Sequence, residues 1–427
     1  MQGNIYDEFE WRGLLFDATP ELKDLLGKES VTAYIGFDPT AASLHVGSLL
    51  PIMGLARMQR FGHTSIALVG GGTGLIGDPS GKTVERQLLD REKVAENIEG
   101  IRSQLSHFLD FEKEGNPARI ENNLDWLGEL QMIDFLRDVG KHFTVNYMLS
   151  KESVKRRIES EDGISYTEFT YMMLQAYDFL ELNRRADCVL QMGGSDQWGN
   201  ILAGTDLIRR ANGGKAHGLV FPLITNSAGT KFGKSESGNV WLDPELTSPY
   251  KFYQFWLNTD DRDVIHYLKA FTWLNREEID GLEKALEENP GAREAQRTLA
   301  REVTTMLHGE GELEKAEQAA KVLFGGSLEN LSVKDLKDIF EDVPSTVIPR
   351  AELTGEGLGA LELCTRTGLT SSNGEARRLI RQGGLFINNE RVSDESGRIT
   401  ADLGIDSELL VLRKGKKSYH LVQIGQD

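Results

Sequence analysis

The chain has 427 residues, of which 39% are hydrophobic and 27% charged, which excludes a disordered or fibrous protein and fits about two to four domains. No apolar run approaches the ~20 residues needed to span a bilayer, and the stretch MQGNIYDEFEWRG has neither a basic n-region nor an apolar h-region. Two distant cysteines, Cys188 and Cys364, exclude a Cys-rich zinc site and a disulfide framework, so a reducing, cytoplasmic setting is expected. The net charge of -18 argues against a protein that coats nucleic acid, because phosphate binding needs clustered Lys and Arg.

In chain order, Val31–Phe37 is a β-branched and aromatic run and predicts a strand. Asp38-Pro39-Thr40 breaks it, and Ser43 is the expected N-cap of a helix over 44–61. Ser65–Val69 predicts a second strand, followed by a glycine-rich turn from Gly70 to Gly81. Helices follow over 84–109 and 125–139, with a short strand at 118–120 between them. The remaining pattern is a helix over 168–182, a strand over 188–192, a helix over 200–211 and a strand over 219–224. This alternation predicts an α/β fold with a doubly wound parallel sheet. From 249 to 324 the pattern is almost wholly helical, and the Pro-flanked stretch FEDVPSTVIPRAELTGEGLG reads as a linker. The expected division is an α/β domain over 1–245, a helical domain over 246–340, a linker over 341–357 and a small module over 358–427.

Charge is uneven along these parts. Residues 358–427 hold 10 basic and 9 acidic side chains, whereas 275–345 hold 17 acids against 9 bases.

The turn after the second strand contains two decoys. Gly72-Thr73-Gly74-Leu75-Ile76-Gly77 spells a dinucleotide fingerprint, but Asp78-Pro79-Ser80-Gly81 follows it where a helix should open. Gly81-Lys82-Thr83 suggests a P-loop ending, but Ile76 stands where that motif needs its first glycine. A tight turn that lets backbone approach a ligand fits these glycines better.

Four constellations carry chemistry. Tyr34-Ile-Gly36-Phe-Asp38-Pro-Thr40, with His45, Gly47 and Ser48, occupies a strand end and a helix start, where α/β sheets bind ligands. Tyr171, Gln175 and Asp178 stand at i, i+4 and i+7 on a mostly apolar helix, a polar stripe that needs partners. Gln191-Met-Gly193-Gly194-Ser195-Asp196-Gln197-Trp198 marks another strand end, where Asp196 can accept from a ribose hydroxyl. Lys231-Phe-Gly233-Lys234-Ser235 sets two lysines three apart in a glycine-rich loop, suited to a polyphosphate. Taken singly, each is compatible with an ordinary loop or a solvated face.

In this order the four resemble the bacterial tyrosyl-tRNA synthetase family of class I, along essentially the whole chain. The resemblance implies a Rossmann-like catalytic domain, a helical domain on the anticodon side and an S4-like RNA-binding module. It implies that L-tyrosine meets Tyr34, Gly36, Asp78, Asn123, Tyr171, Gln175, Asp178 and Gln191, with Tyr34 and Asp178 on the phenol and Asp78, Tyr171 and Gln175 on the ammonium. Thr40, His45, Ser48, Lys231, Lys234 and Ser235 would act on the ATP phosphates. Asp38, Gly47, Lys82, Arg86, Gly194, Asp196 and Gln197 would complete the ATP site. Mg2+ would come with the phosphates, since no dedicated protein metal cage is visible. Arg377, Arg378, Arg381, Lys414, Lys416 and Lys417 would meet tRNA(Tyr), and a homodimer away from membranes is expected. Position 48 is Ser where many class I enzymes carry a second His, and the lysine loop reads KFGKS rather than KMSKS. The alternatives are a tryptophanyl-type synthetase, or a catalytically silent RNA-binding relative.

Overall fold

The computed structural model describes residues 3–425 apart from 81–88, 160–162, 228, 230–231, 236–237, 323–325, 327, 329–330, 342 and 416–417. The chain divides into two compact units, Met1–Asp243 with Thr259–Leu299, and Pro244–Asn258 with Ala300–Asp427.

The first unit is built on six strands: β1 Asp17–Ala18, β2 Thr32–Phe37, β3 Thr64–Val69, β4 Arg119–Asn122, β5 Cys188–Gly194 and β6 His217–Phe221. Their order across the sheet is β1-β6-β5-β2-β3-β4, parallel except for β1. β3 and β6 are buried nearly throughout, as strands covered on both faces must be, and this explains their unbroken apolar runs. β2 lies between β3 and β5, so the winding reverses there and the crevice opens at the carboxyl ends of β2 and β5. Tyr34, Met172, Ala176, Phe179, Leu180 and Leu207 belong to one buried cluster that fixes the helices Tyr166–Ala186 and Trp198–Asn212 against each other and the sheet.

Three local expectations change. His45, not Ser43, caps the first long helix. Its Nδ1 accepts from Gly47 N at 3.0 Å, and a 3-10 turn Val46–Ser48 precedes the helix Leu49–Arg60. Ser43 instead donates to the carbonyl of Leu44. The helix expected over 125–139 is broken into Leu124–Leu127, Met132–Asp134 and a π turn Phe135–Val139. Gly128 follows the first piece, and the apolar Met132 and Ile133 point to solvent rather than to a core. The described part of the helix expected over 84–109 runs Arg91–Leu105, capped by Asp90.

In the second unit, five strands run in the order Glu390–Arg391, Leu385–Ile387, Leu409–Lys414, Ser418–Gly425, Ser345–Pro349. Residues 341–357, expected as a linker, thus supply an edge strand, paired in parallel with Ser418–Gly425. The sheet is covered on both faces. Leu410 and Leu412 pack with the helices Ala360–Arg366 and Asn373–Arg381, while Leu409, Val411, Tyr419 and Leu421 pack with Ala319, Leu336 and Phe340. Alternate side chains of one strand therefore serve two cores.

Candidate active site

The switch between β2 and β5 holds a cavity of about 190 Å³, lined by Tyr34, Asp38, Asp78, Asn123, Tyr171, Gln175, Asp178, Gln191 and Gln197 among others. Its lining includes three carboxylates and no cationic side chain. Such a site favours a ligand that brings positive charge and hydrogen-bond donors.

One end is closed by Asp178, on the helix Tyr166–Ala186, and by Tyr34 of β2. Asp178 is 2% exposed, and its two oxygens accept from Asn123 Nδ2 at 2.9 Å and Trp126 Nε1 at 2.7 Å. Burial pushes its pKa up to about 7, against the two N–H donors that favour the carboxylate. The Tyr34 ring sits 5.3 Å from that of Phe179, and its hydroxyl meets no partner among the described residues. Burial, with Asp178 nearby, raises that phenol well above its ordinary pKa, so it stays a neutral donor.

Asn123 joins this end to the glycine-rich turn. Its Oδ1 accepts from Gly72 N at 2.7 Å, while Nδ2 donates to Thr73 Oγ1 and to Asp178, both at 2.9 Å. Thr73 Oγ1 in turn donates to Asp38 Oδ1 at 3.1 Å. The turn glycines are explained by this close packing. A Cβ on Gly70 would lie 2.4 Å from Asp38 Oδ1, and one on Gly71 would lie 2.2 Å from Asn122 Oδ1.

The other end is a polar ring. Tyr171 donates to Asp38 Oδ2 at 3.2 Å, Gln197 to Asp78 Oδ2 at 2.8 Å and Ser80 N to Asp78 Oδ1 at 2.8 Å. Gln175 donates to Gln197 Oε1 at 3.3 Å and accepts from Asn200 Nδ2 at 3.0 Å. Burial, then Asp38 and Asp78, raise the Tyr171 phenol well above its usual range. Gln191 is buried, and its Oε1 has no partner among the described residues.

All eight residues expected around tyrosine therefore line one cavity. Asp38, Gly194 and Gln197, expected at ATP, line it too, with Asp38 and Gln197 in its polar ring. Trp126, Thr73 and Asn200 were not expected. A buried tryptophan must place its N–H, but no spacing links Trp126 to an acceptor 52 residues away.

The histidine and lysine motifs also meet. Val46 N donates to Val240 O at 2.9 Å, Leu242 N to Leu44 O at 2.9 Å, and His45 bridges Trp241. Gly233, at φ +92°, would place a Cβ 3.1 Å from Gly47 N, so the lysine loop lies directly on the His45-Val-Gly47 turn. Because His45 Nδ1 accepts from Gly47 N, the neutral ring carries its proton on Nε2, which is then the donor nitrogen of the ring. Lys234–Ser235 forms a short hairpin with Gly238–Asn239. Thr40 and Asp196 are exposed, and Ser48 is half-buried in the 3-10 turn. Lys82, Arg86 and Lys231 lie outside the described residues, as do Lys416 and Lys417.

In the second unit, Arg377 and Arg381 both pair with Glu395, at 3.2 and 2.5 Å. Lys414 pairs with Glu375 at 2.7 Å. Arg378 is exposed and makes no ion pair among the described residues. The expected basic group is therefore partly neutralised within the chain itself.

Residues 27–325 match the family of class I tRNA synthetases (W and Y), and residues 335–422 match the tyrosine--tRNA ligase SYY-like C-terminal domain. The tyrosine--tRNA ligase of Roseiflexus castenholzii is 58% identical over 420 residues, covering 98% of this chain and 99% of that protein. That of Geobacillus stearothermophilus is 53% identical over 423 residues, again covering 98% and 99%. A solved structure of a C-terminally truncated Aspergillus nidulans mitochondrial tyrosyl-tRNA synthetase is 31% identical, with a TM-score of 0.69, covering 76% of this chain and 95% of that one. A doubly wound sheet with a ligand cavity at its switch point, overlaid by paired histidine and lysine motifs, defines a class I aminoacyl-tRNA synthetase. Within that class, the chain belongs to the tyrosine--tRNA ligase family.

Proposed function

We infer that this chain activates L-tyrosine with ATP and transfers the tyrosyl group to the 3'-terminal ribose of tRNA(Tyr). The observation that carries the choice of amino acid is Asp178, buried, doubly hydrogen-bonded and closing the cavity beside the Tyr34 hydroxyl. A substrate phenol donates to Asp178 and accepts from Tyr34. Phenylalanine leaves the Tyr34 hydroxyl without a partner and Asp178 without a further donor in a buried pocket, which is the costly outcome. The substrate ammonium sits among Asp38, Asp78, Tyr171 and Gln175, where the cavity's remaining negative charge lies.

The tyrosine carboxylate attacks the α-phosphorus of ATP. A P–O bond forms there as the bond to the β-phosphate breaks, and pyrophosphate leaves with the electron pair. His45, Thr40, Lys231, Lys234 and Ser235 position the phosphates and stabilise the charge that develops, and Ser48 adds a modest contact. Mg2+ carried by the nucleotide supplies further charge neutralisation. Gly47, Gly194 and Asp196 shape the adenosine site. The terminal ribose hydroxyl of the tRNA then attacks the tyrosyl carbonyl, and AMP leaves.

The catalytic part is assigned to 1–245, with the helical segment 246–340 and the module 358–427 taking the tRNA. We assign a cytoplasmic location; among the described residues no helix is long and apolar enough to cross a membrane. A homodimer is supported by exposed Met132, Ile133, Val145, Ile158 and Tyr166 along one stretch of chain. Amino-acid-dependent ATP–pyrophosphate exchange tests the reading. Exchange with tyrosine is expected. Exchange with tryptophan alone would move the chain to the sister specificity, and none with either would leave an RNA-binding relative.

A further inference from the structure

The first unit contains a second and larger cavity, of about 520 Å³, away from the switch point. It lies between the helix Ile5–Trp11, the end of Leu49–Arg60 and the segment that joins the helices Asp261–Phe271 and Arg276–Glu288. Arg12, Arg57, Arg60, Lys113 and Arg276 line it, against the single carboxylate of Glu8. On a chain of net charge -18 such a grouping is a local reversal of sign.

Helix capping accounts for part of it. Arg12 Nη1 and Arg57 Nη2 donate to the carbonyls of Lys269 and Thr272, which end the helix Asp261–Phe271. Arg12 also pairs with Glu8 at 2.5 Å. The rest has no internal explanation. Arg57 is 1% exposed, yet its Nε and Nη1 meet no acceptor among the described residues. No carboxylate pairs with Arg60 or Arg276 among the described residues. Two indoles hold the guanidinium planes. Arg60 lies 3.4 Å from the centre of the Trp273 ring, and Arg12 and Arg276 lie 4.7 and 5.0 Å from that of Trp11. Arg12 spends its N–H groups on Glu8 and on the carbonyls of Lys269, Thr272 and Leu274, whereas stacking fixes the planes of Arg60 and Arg276 and leaves their N–H edges for a bidentate oxyanion. Burial and then the neighbouring guanidiniums of Arg12 and Arg60 depress the Arg57 pKa, with Glu8 opposing them, as expected where cations outnumber the counter-charge.

We propose that this cavity is a second anion site, which takes a small phosphate-bearing molecule, either a free polyphosphate or the phosphates of a nucleotide. The guanidiniums of Arg57, Arg60 and Arg276 bind its oxygens, and the aromatic walls keep them in place.

The test is calorimetric titration of the full chain with inorganic pyrophosphate, after the switch-point cavity has been filled with a non-hydrolysable tyrosyl-adenylate analogue. Saturation of that cavity is read first, so failure of the functional reading shows before the second site is probed. Saturable pyrophosphate binding is expected in addition to any at the histidine and lysine motifs, weakened at least tenfold in Arg60→Ala and again in Arg276→Ala, and weakened by added salt. Both residues are exposed, so the variants fold, and unchanged tyrosine-dependent exchange checks this. ADP in place of pyrophosphate separates the sources. Tighter binding of ADP assigns the site to a nucleotide, and equal or weaker binding assigns it to a free polyphosphate. No saturable binding, or binding unaltered in the Arg60→Ala/Arg276→Ala protein, would overturn the proposal.

Discussion

Asn123 satisfies every polar atom of its amide with groups on two different segments, the glycine-rich turn and the helix Tyr166–Ala186. Asn123→Ala therefore removes a donor from Asp178 and leaves Thr73 and the Gly72 N–H to repack. A tyrosine affinity about 1–3 kcal/mol weaker is expected, with the KM for ATP unchanged, read from exchange kinetics. The pH dependence follows from Asp178. Its folded pKa of about 7 lies above the free value of 3.8, so between these the folded protein keeps a proton that the unfolded chain has released. The stability of the unliganded protein from this group falls as pH rises through that window and is level above it. On the proposed pose, in which the phenol donates to the carboxylate, tyrosine binding has the opposite sign and should tighten through about pH 7. Tyrosine titrations across the window check this, and Asp178→Asn should flatten the profile. A flat profile in the unaltered protein would mean that Asp178 is not the receiving group. Much of this site is legible in sequence because Tyr171, Gln175 and Asp178 share one helical face. Trp126 and Thr73 are not, because only the sheet order brings β4 and the glycine turn against that helix.

At the scale of elements, the helix Tyr166–Ala186 carries three of the pocket's side chains and must be held in register. Ser165 caps it, and Glu168 in its first turn pairs with Arg157 at 2.7 Å, both side chains being 3% exposed. Arg157→Leu leaves a buried carboxylate without its cation, and a loss of about 3–5 kcal/mol is expected by denaturant melting. The double change Arg157→Leu/Glu168→Leu should recover most of it. The lysine loop is placed differently. Phe232 stacks on Phe271 with ring centres 5.2 Å apart, and Gly233 rests on Gly47 at a positive φ. Gly233→Ala adds both backbone strain and a contact with the histidine motif. Tyrosine binding should survive it, whereas adenylate formation should drop by tenfold or more in pre-steady-state assays. The strands that bear these motifs are legible from their β-branched runs. The broken helix after β4 is not, because its apolar side chains mimic a buried face while Met132 and Ile133 lie in solvent.

For the molecule as a whole, the charge of -18 is a poor guide to what it binds, because opposite signs are sorted locally. Glu395 holds both Arg377 and Arg381, and any RNA phosphate at that helix must displace it. Glu395→Gln should therefore tighten tRNA binding, and Arg378→Ala should weaken it and reduce its salt dependence. Filter binding at several salt concentrations reads both, and tyrosine activation should be untouched by either change. The parting of the chain at a Pro-flanked stretch is legible in composition, but the strand within it is not, since it pairs with residues some 75 positions further on. That pairing also bears on how the protein can be handled. Cutting before residue 358 removes Ser345–Pro349 and the helices that cover Leu409, Val411, Tyr419 and Leu421. The excised piece would present a bare strand edge and a bare apolar sheet face together, the combination that drives chains to add to one another in stacked sheets.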